Sequence, residues 1–578
     1  MKIKKIMSLI CTVTIAVGLF VGCSSGGGKV ENEGGGKVEN EVEEKLAVLT
    51  TLAESSQGWV KNFNPYNKPT QFIQGFMYEP LIIFDANNGG KETMWLAEDI
   101  ISEDDNKTLI VKLRKGVKWS DGQDFNADDV VFTYTYSKDK PEIDTSGNWT
   151  GDNPKLESVE KVDEYTVKFV VSTPNAFNRK DIFTTTWMVP EHIFSKISDP
   201  ATAIVETPVV TGAFSVVKEF TPEMVVLGRN PSFWKADDLE VDELRIPQFD
   251  GNDAALALLE EGNIDWAYIM IPDIENTYVK GDAHKKYWYG RNDAIRLTFN
   301  FMTKNEDNKK AFESVDFRRA VSLATDRKTI NDSAAFGYLS DEVPSVTGLP
   351  PMLSSYINKD AQALSDPNTK FDLTEAEKIL DEAGFVDKDG DKFRENPDGT
   401  PIKFEIVSPA GWSDWNAGAQ IVAENLQKIG INASNAPKEL GVVTEAWGTG
   451  DFDMLYTAYG QNASIWKYYF DTIGDQSRFL TSTWWSTCQN NYKNDEMTAL
   501  IEELASADEA RQAEIIEEIE KFFAENMISV PILFNGKWNV YNDSRFTGWT
   551  TAEGKGPDPS NCIHDSKILQ LMELKPVE

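Results

Sequence analysis

The residues best suited to chemistry in this chain are indoles set among short polar side chains. Trp412 and Trp415 stand in Ser408-Pro409-Ala410-Gly411-Trp412-Ser413-Asp414-Trp415, after the apolar run Phe404-Glu405-Ile406-Val407 and before a helix expected from Asn416. Trp466 follows 451–465, DFDMLYTAYGQNASI, in the same arrangement. Trp59 and Asn64 lie in a third loop, 55–66. Side chains at strand ends and in loops are placed to meet a ligand. A flat indole covers the apolar face of a pyranose and leaves its N–H for a hydroxyl. Asp414, Tyr459, Gln461, Asn462 and Asn64 then supply donors and acceptors for the hydroxyls. The competing reading is that the indoles are core residues, and the alternation of residue types does not decide between the two.

Other chemistries find little support. The three His residues, His192, His284 and His564, are far apart, and none has a second His at helical spacing, so a His-based metal site is not expected. Asp387-Lys388-Asp389-Gly390-Asp391 is partly like a calcium loop, but its Gly stands at the fourth position rather than the sixth, and Asp398 replaces the closing Glu; it reads as an acidic turn. The string 548–556, GWTTAEGKG, lacks the Gly spacing and the final Ser or Thr of a phosphate loop. No G-x-S-x-G elbow and no H-E-x-x-H occurs. Carboxylates are abundant, and no local pattern marks a glycosidase pair. We expect no catalytic residue, no cofactor and no metal.

The elements that must hold these residues are those of a soluble α/β protein. The chain has 578 residues, 41% hydrophobic and 26% charged, enough for several domain-sized units. Lys and Arg total 57 against 93 Asp and Glu, a formal charge of −36, which argues against a nucleic-acid partner. In 109–136 the apolar Leu109, Val111 and Leu113 alternate as in a strand. Asp121-Gly122 makes a turn, and Asn126 caps a helix whose Asp128 and Asp129 face the positive end of the helix dipole. Further helices are expected within 252–266, ended by Gly262-Asn263, over 315–330, after a capping box at Thr374-Glu375-Ala376-Glu377, over 421–429, and over 509–525.

The first residues read as a leader. Lys2, Lys4 and Lys5 precede the apolar run 6–21, a signal peptide over 1–22 rather than a span. Leu19-Phe20-Val21-Gly22-Cys23 resembles a bacterial lipobox, which implies a diacylglyceryl thioether on Cys23 and an anchor in the outer face of the cell membrane. GGGKVENE, at 26–33 and again at 34–41, makes 23–45 a flexible tether. Cys488 and Cys562 remain in the body, where a disulfide between them is possible.

As strings, three stretches are more informative. LRKGVKWSDGQDFNADDVVFTY at 113–134, TPVVTGAFSVVKEFTPEMVVLGRNPSFW at 207–234 and VDFRRAVSLATDRKTI at 315–330 strongly resemble the family 5 extracellular solute-binding proteins, the dipeptide, oligopeptide, nickel and oligosaccharide receptors of ABC importers. The resemblance runs from about residue 46 to the C-terminal region. It implies a two-lobed periplasmic-binding-protein-like α/β fold of the cluster C type, with an extra domain in the first lobe and the ligand cleft between lobes. Residues 46–94, 207–296 and 535–578 would form lobe I, 95–206 the extra domain, and 297–534 lobe II. Trp119 and Trp234, in the family's structural motifs, are expected in the core.

The resemblance also bears on the ligand. Peptide receptors of the family carry a Trp–Asp–Asp–Pro type motif after the strand matching 452–455, and one Asp holds the peptide ammonium. Here 457–466 reads TAYGQNASIW, with no acid until Asp471. GWSDW with AYGQNASIW is more similar to the oligosaccharide-binding branch, including cello-oligosaccharide receptors. The expectation is a monomeric, lipid-anchored receptor for a short β-linked gluco- or manno-oligosaccharide, serving importer permeases. The alternatives are an oligopeptide receptor anchoring the ammonium through Asp414 or Asp471, an extracellular glycosidase, and a surface sensor or adhesion lipoprotein.

Overall fold

The computed structural model describes residues 46–53, 59–67, 73–144, 146–150, 154–175, 177–340, 343–458, 464–473, 490–562 and 566–577. The expectations for the leader, Cys23, the tether, Tyr459, Gln461, Asn462 and Cys488 therefore lie outside the described residues.

Strands β1 (Val48–Leu52), β2 (Ile82–Asp85), β3 (Lys91–Met94), β4 (Ala97–Glu103) and β5 (Thr108–Leu113) open the chain. Then come β6 (Leu156–Asp163), β7 (Thr166–Val171), β8 (Phe214–Phe220), β9 (Met224–Arg229), β10 (Glu243–Pro247) and β11 (Trp266–Tyr268). The last group is β12 (Lys285–Phe299), β13 (Lys403–Pro409), β14 (Asn432–Lys438), β15 (Met454–Ala458) and β16 (Ser529–Asn542). Ten of them form one mixed sheet in the order β14-β13-β15-β12-β16-β11-β1-β10-β9-β8. β4-β5-β7-β6 make a separate antiparallel sheet.

Local chemistry builds these elements. In β5, Leu109, Val111 and Leu113 are buried while Ile110 and Lys112 are half-buried, the alternation a one-faced strand needs. The helix Ala127–Tyr136 starts on a capping box: Asn126 accepts from the Asp128 N–H, and Asp129 Oδ2 accepts from the Asn126 N–H at 3.1 Å. Asp129 also receives the Trp119 indole N–H at 3.1 Å, which fixes that fully buried ring. β13 is parallel to both β14 and β15, so each connection crosses over through a helix. The helix Ser413–Lys428 buries Ala419, Val422, Ala423 and Leu426 in the main core; Leu440–Thr449 buries Val443 and Trp447 against Val407 and Leu455.

Three helix expectations are corrected. The cap of the helix Leu373–Glu382 is Asp372, whose carboxylate accepts from the Glu375 N–H, not Thr374. The helix expected over 315–330 stops at Leu323, after which Asp326 caps a new turn. The helix expected from Asn416, with its regular part over 421–429, begins at Ser413, so Asp414 and Trp415 are in its first turn rather than in a loop.

The large apolar side chains gather mainly in two cores. One joins Leu49, Phe76, Trp119, Tyr134, Phe214, Leu244 and Trp266 to Leu571. The other joins Leu297, Phe312, Ile406, Val422, Tyr456, Ile519 and Val530. The antiparallel pair β12 and β16 runs through both, Tyr541 belonging to the first and Leu297 and Val530 to the second. Its register breaks between Arg291 and Ala294 and again between Ala294 and Arg296.

Candidate functional site: where the two cores meet

At one edge of this meeting line the backbones touch. Gly251 has φ +74°, and a Cβ there would lie 2.6 Å from the Gly411 carbonyl oxygen. The Asn252 N–H donates to that oxygen at 3.1 Å, and its amide Nδ2 donates to Ser413 Oγ at 2.9 Å and to Asp414 Oδ1 at 3.5 Å. The start of the helix Gly251–Glu260 therefore closes on the start of Ser413–Lys428. Asp414 is buried here, and burial pushes its carboxyl up to about 6 against the opposing pull of the Asp414 and Trp415 N–H groups and the Asn252 amide.

The sequence-expected residues are sorted by this geometry. Trp412 is half-buried at the N-cap, with its ring 4.7 Å edge-on to Trp415. Trp415 is 3% exposed and packs on Tyr456 at 5.9 Å, in a space opened by Gly418. Trp59 is buried in the first core. Asn64 is fully buried; its amide donates to the Pro200 and Ala203 carbonyls at 2.6 and 3.0 Å, and its oxygen accepts from the Tyr66 N–H. The Trp234 indole N–H reaches Glu79 Oε1, as does that of Trp95, so Trp234 braces the core.

Trp466 is different. It is half-buried on the helix Ile465–Ile473, stacked on Phe470 at 5.2 Å and 16°, packed against the second core, and its indole N–H is buried with no hydrogen-bond partner among the described residues. Buried polar groups are normally satisfied, so an orphaned donor is informative. The helix that carries it is rigidly mounted. Arg296 Nη2 donates to Tyr468 Oη at 2.7 Å, Tyr468 Oη donates to the Thr347 carbonyl at 2.6 Å, and Tyr469 Oη donates to Glu520 at 2.7 Å. Burial raises the Glu520 carboxyl to about 7. Next to Trp466, Lys467 Nζ holds both carboxylate oxygens of Asp471 at 2.5 Å.

The broken register of β12 supplies a third polar group that the sequence did not announce. Asp293 is buried at the break, with Oδ1 unpartnered; burial pushes its carboxyl up to about 7 against the pull of Arg296 and Asn535. Beside it Asn292 Nδ2 donates to Tyr268 Oη at 3.3 Å, and burial holds that phenol well above its usual range. Asn87, Trp288, Arg291, Asn292, Met352 and Lys537 surround a cavity of about 190 Å³ on the same line. Lys537 Nζ bonds Asp558 Oδ2 at 2.9 Å and Asn87 Oδ1 at 3.2 Å there.

The acidic turn lies elsewhere. Asp387, Asp389, Asp391 and Glu395 bring oxygens within 4.8 Å of one another. Their carboxylates accept the N–H groups of Gly390, Lys392, Asp391, Phe393 and Lys388, which is how a tight turn satisfies its own backbone.

Residues 91–479 match the model of the bacterial extracellular solute-binding proteins, family 5. The chain belongs to this family. Among family 5 relatives, it is 25% identical over 448 residues to the oligopeptide-binding protein AppA of Bacillus subtilis, covering 76% of this chain and 77% of that protein. It is similar to a periplasmic oligopeptide-binding protein of Thermotoga maritima in a structure with mannohexaose bound: 26% identical, TM-score 0.81, covering 92% of this chain and 99% of that one. The Bacillus AppA structure with a nonapeptide has the same fold at 21% identity, TM-score 0.74, covering 93% and 100%. The fold is thus that of the two-lobed solute-binding proteins, and the family places the chain among the extracellular receptors of ABC importers. No helix among the described residues is long and apolar enough to cross a membrane.

Proposed function

We propose that this receptor captures a short oligosaccharide, of the β-linked gluco- or manno- type, and delivers it to importer permeases. The observation that carries the reading is Trp466, a half-buried indole whose buried N–H lacks an acceptor among the described residues. A sugar hydroxyl supplies such an acceptor, and the ring supplies the platform. Two further observations support it. The two acids that the sequence offers as anchors for a peptide ammonium are already engaged, Asp471 by Lys467 and Asp414 by Asn252. The similar Thermotoga protein has been seen with mannohexaose.

In this reading 46–94, 207–296 and 535–578 form lobe I, 95–206 the extra domain and 297–534 lobe II, and the lobes close on the solute about β12 and β16. Trp412 and Trp466 are the stacking residues; Asp414 and Trp415 shape the first turn behind Trp412. Tyr459, Gln461 and Asn462 complete the proposed rim, with Trp59 and Asn64 buried behind it, and a lipid on Cys23 anchors the protein at the membrane, where it acts as a monomer.

The second reading is an oligopeptide receptor, favoured by relatives named for that ligand. Calorimetry with mannohexaose, cellobiose to cellopentaose and a random peptide pool separates the two. Saccharide heats with intact sugar recovered support the proposal and exclude a glycosidase. Heats from peptides alone reject it.

A further inference from the structure

The cavity of about 190 Å³ beside the broken register of β12 takes its walls from three distant parts of the chain. Trp288 and Asn292 of β12 and Lys537 of β16 line it from the ribbon. Asn87 lines it from the turn between β2 and β3, and Pro350 and Met352 line it at the start of the turn Pro351–Tyr356. Each wall is held from behind. The half-buried Trp288 indole lies across the place of a Gly290 side chain: a Cβ there would stand 2.7 Å from Cζ2 and 3.0 Å from Cε2. Asp85 accepts from the Asn87 N–H at 3.0 Å, and the Asn87 amide donates to the Gly556 carbonyl at 3.2 Å. Just before Pro350, the Thr347 and Gly348 carbonyls accept from the buried Arg296 guanidinium at 3.4 and 3.5 Å.

Lys537 is the polar group that points to an occupant. It is 7% exposed, and its ammonium donates to the fully buried Asp558 carboxylate at 2.9 Å and to Asn87 Oδ1 at 3.2 Å. An ammonium has three protons to give, and the third has no acceptor among the described residues. The acceptor that suits it is neutral. Asp558 already matches the charge, and an arriving carboxylate would meet a second carboxylate across the same ammonium. A peptide ammonium fares no better, because no carboxylate stands among the described lining residues. Arg291, the other lining cation, is exposed to water and lies over the Phe534 ring at 5.9 Å. Trp288, Pro350 and Met352 give the space apolar walls; Lys537, Asn87 and Asn292 give it a polar edge, the division that a pyranose needs. Its volume is below the roughly 300 Å³ at which pockets for whole small ligands begin, so it is the berth of one unit of a longer solute.

We propose that this cavity is a subsite for one neutral sugar unit, with the ring against Trp288 and one hydroxyl accepting the third proton of Lys537. This rests on the saccharide reading above and deepens it. Trp288 joins Trp412 and Trp466 as a specificity residue, and the unit bound here touches both proposed lobes, since Pro350 and Met352 belong to 297–534 and the other walls to lobe I.

The test titrates mannohexaose, cellopentaose and an oligouronate of matched length into the wild-type chain, Trp288→Ala, Trp288→Phe, Gly290→Ala and Lys537→Gln, and records each thermal midpoint without ligand. Trp288→Ala is expected to lose about 10- to 100-fold in affinity for the neutral saccharides, the weight of a stacked ring, and Trp288→Phe to recover most of it. Gly290→Ala displaces the indole without deleting it and should lose about tenfold. Lys537→Gln should lose about tenfold and lower the ligand-free midpoint, because Asp558 then keeps a buried charge without its counter-ion. Wild-type affinity in Trp288→Ala overturns the subsite while the receptor reading stands, and wild-type affinity in Lys537→Gln overturns the hydroxyl assignment. Tighter binding of the oligouronate than of the neutral sugars overturns the neutral occupant. Absence of any saccharide binding by the wild-type chain rejects the receptor reading itself and the subsite with it.

Discussion

The helices Ser413–Lys428 and Ile465–Ile473 follow neighbouring strands of one sheet, and both carry tryptophan at or near their first turn. At the first, polar groups of the two sides meet one another: Asn252 bonds Ser413 and Asp414, and its N–H takes the Gly411 carbonyl. At the second, the Trp466 N–H is buried and unmatched among the described residues. Similar residue types thus serve two purposes. A satisfied polar cluster holds the two sides together, whereas an unsatisfied one keeps capacity for a guest, at a standing cost in stability.

Mutations can break this contrast, and the largest effect is expected at the satisfied end. Gly251→Val adds a side chain against the Gly411 carbonyl at a left-handed backbone position, and should cost about 3 kcal/mol in thermal or urea unfolding. An unchanged midpoint would mean that the two helix starts do not close in solution. Next is Glu520→Gln under the second helix. Because burial raises this carboxyl from 4.5 to about 7, ionisation destabilises the fold as pH rises through that window, on the order of 2–3 kcal/mol by pH 8. The wild-type chain should therefore gain stability as pH falls from 8 towards 5, and the Gln variant should show a flatter profile with a higher midpoint at pH 8. A parallel profile in the two proteins contradicts this.

Trp466→Ala is the sharper probe of function. It should lower saccharide affinity about 10- to 100-fold, on the scale of a lost ring-stacking contact, with a smaller change in midpoint than Gly251→Val. Equal affinity in calorimetry would remove Trp466 from the site. Smallest is Asn252→Ala, which deletes two side-chain hydrogen bonds at the satisfied end and should cost about 1 kcal/mol with saccharide heats preserved. Loss of binding there would erase the distinction between the two helix starts.

Features set by neighbours in sequence were legible in the chain itself. Asn126, Asp129 and the alternating β5 need only a few residues on either side; Trp119 is a core indole as its motif implies, while Trp234 packs half-buried against that core. Boundaries were less so: Asp372 outcompetes Thr374 as a cap because its carboxylate reaches the Glu375 N–H, and Ser413 starts a helix three residues before Asn416. For the site, residue type flagged Trp412 and Trp466, but nothing in the pattern told Trp466 from Trp415, which Tyr456 covers. Asn64 was chosen for its amide, which the Pro200 and Ala203 carbonyls occupy. Asp293 and Asp181 stood among many ordinary charged positions. Their distinction is a buried carboxylate oxygen without a partner among the described residues, a property of the folded chain that spacing does not encode.

The pair β12 and β16 has a mechanical side. From the second core the chain returns to the first along β16, having entered along β12, and the two strands are zipped to each other by their ladder. Two bodies sharing one such ribbon behave like covers on a spine: folding about the ribbon's broken register disturbs few hydrogen bonds, whereas sliding along it would tear the whole ladder. In the proposed two-lobe reading the ribbon would leave one soft direction of motion, and a solute held on both sides of it would be felt along that direction.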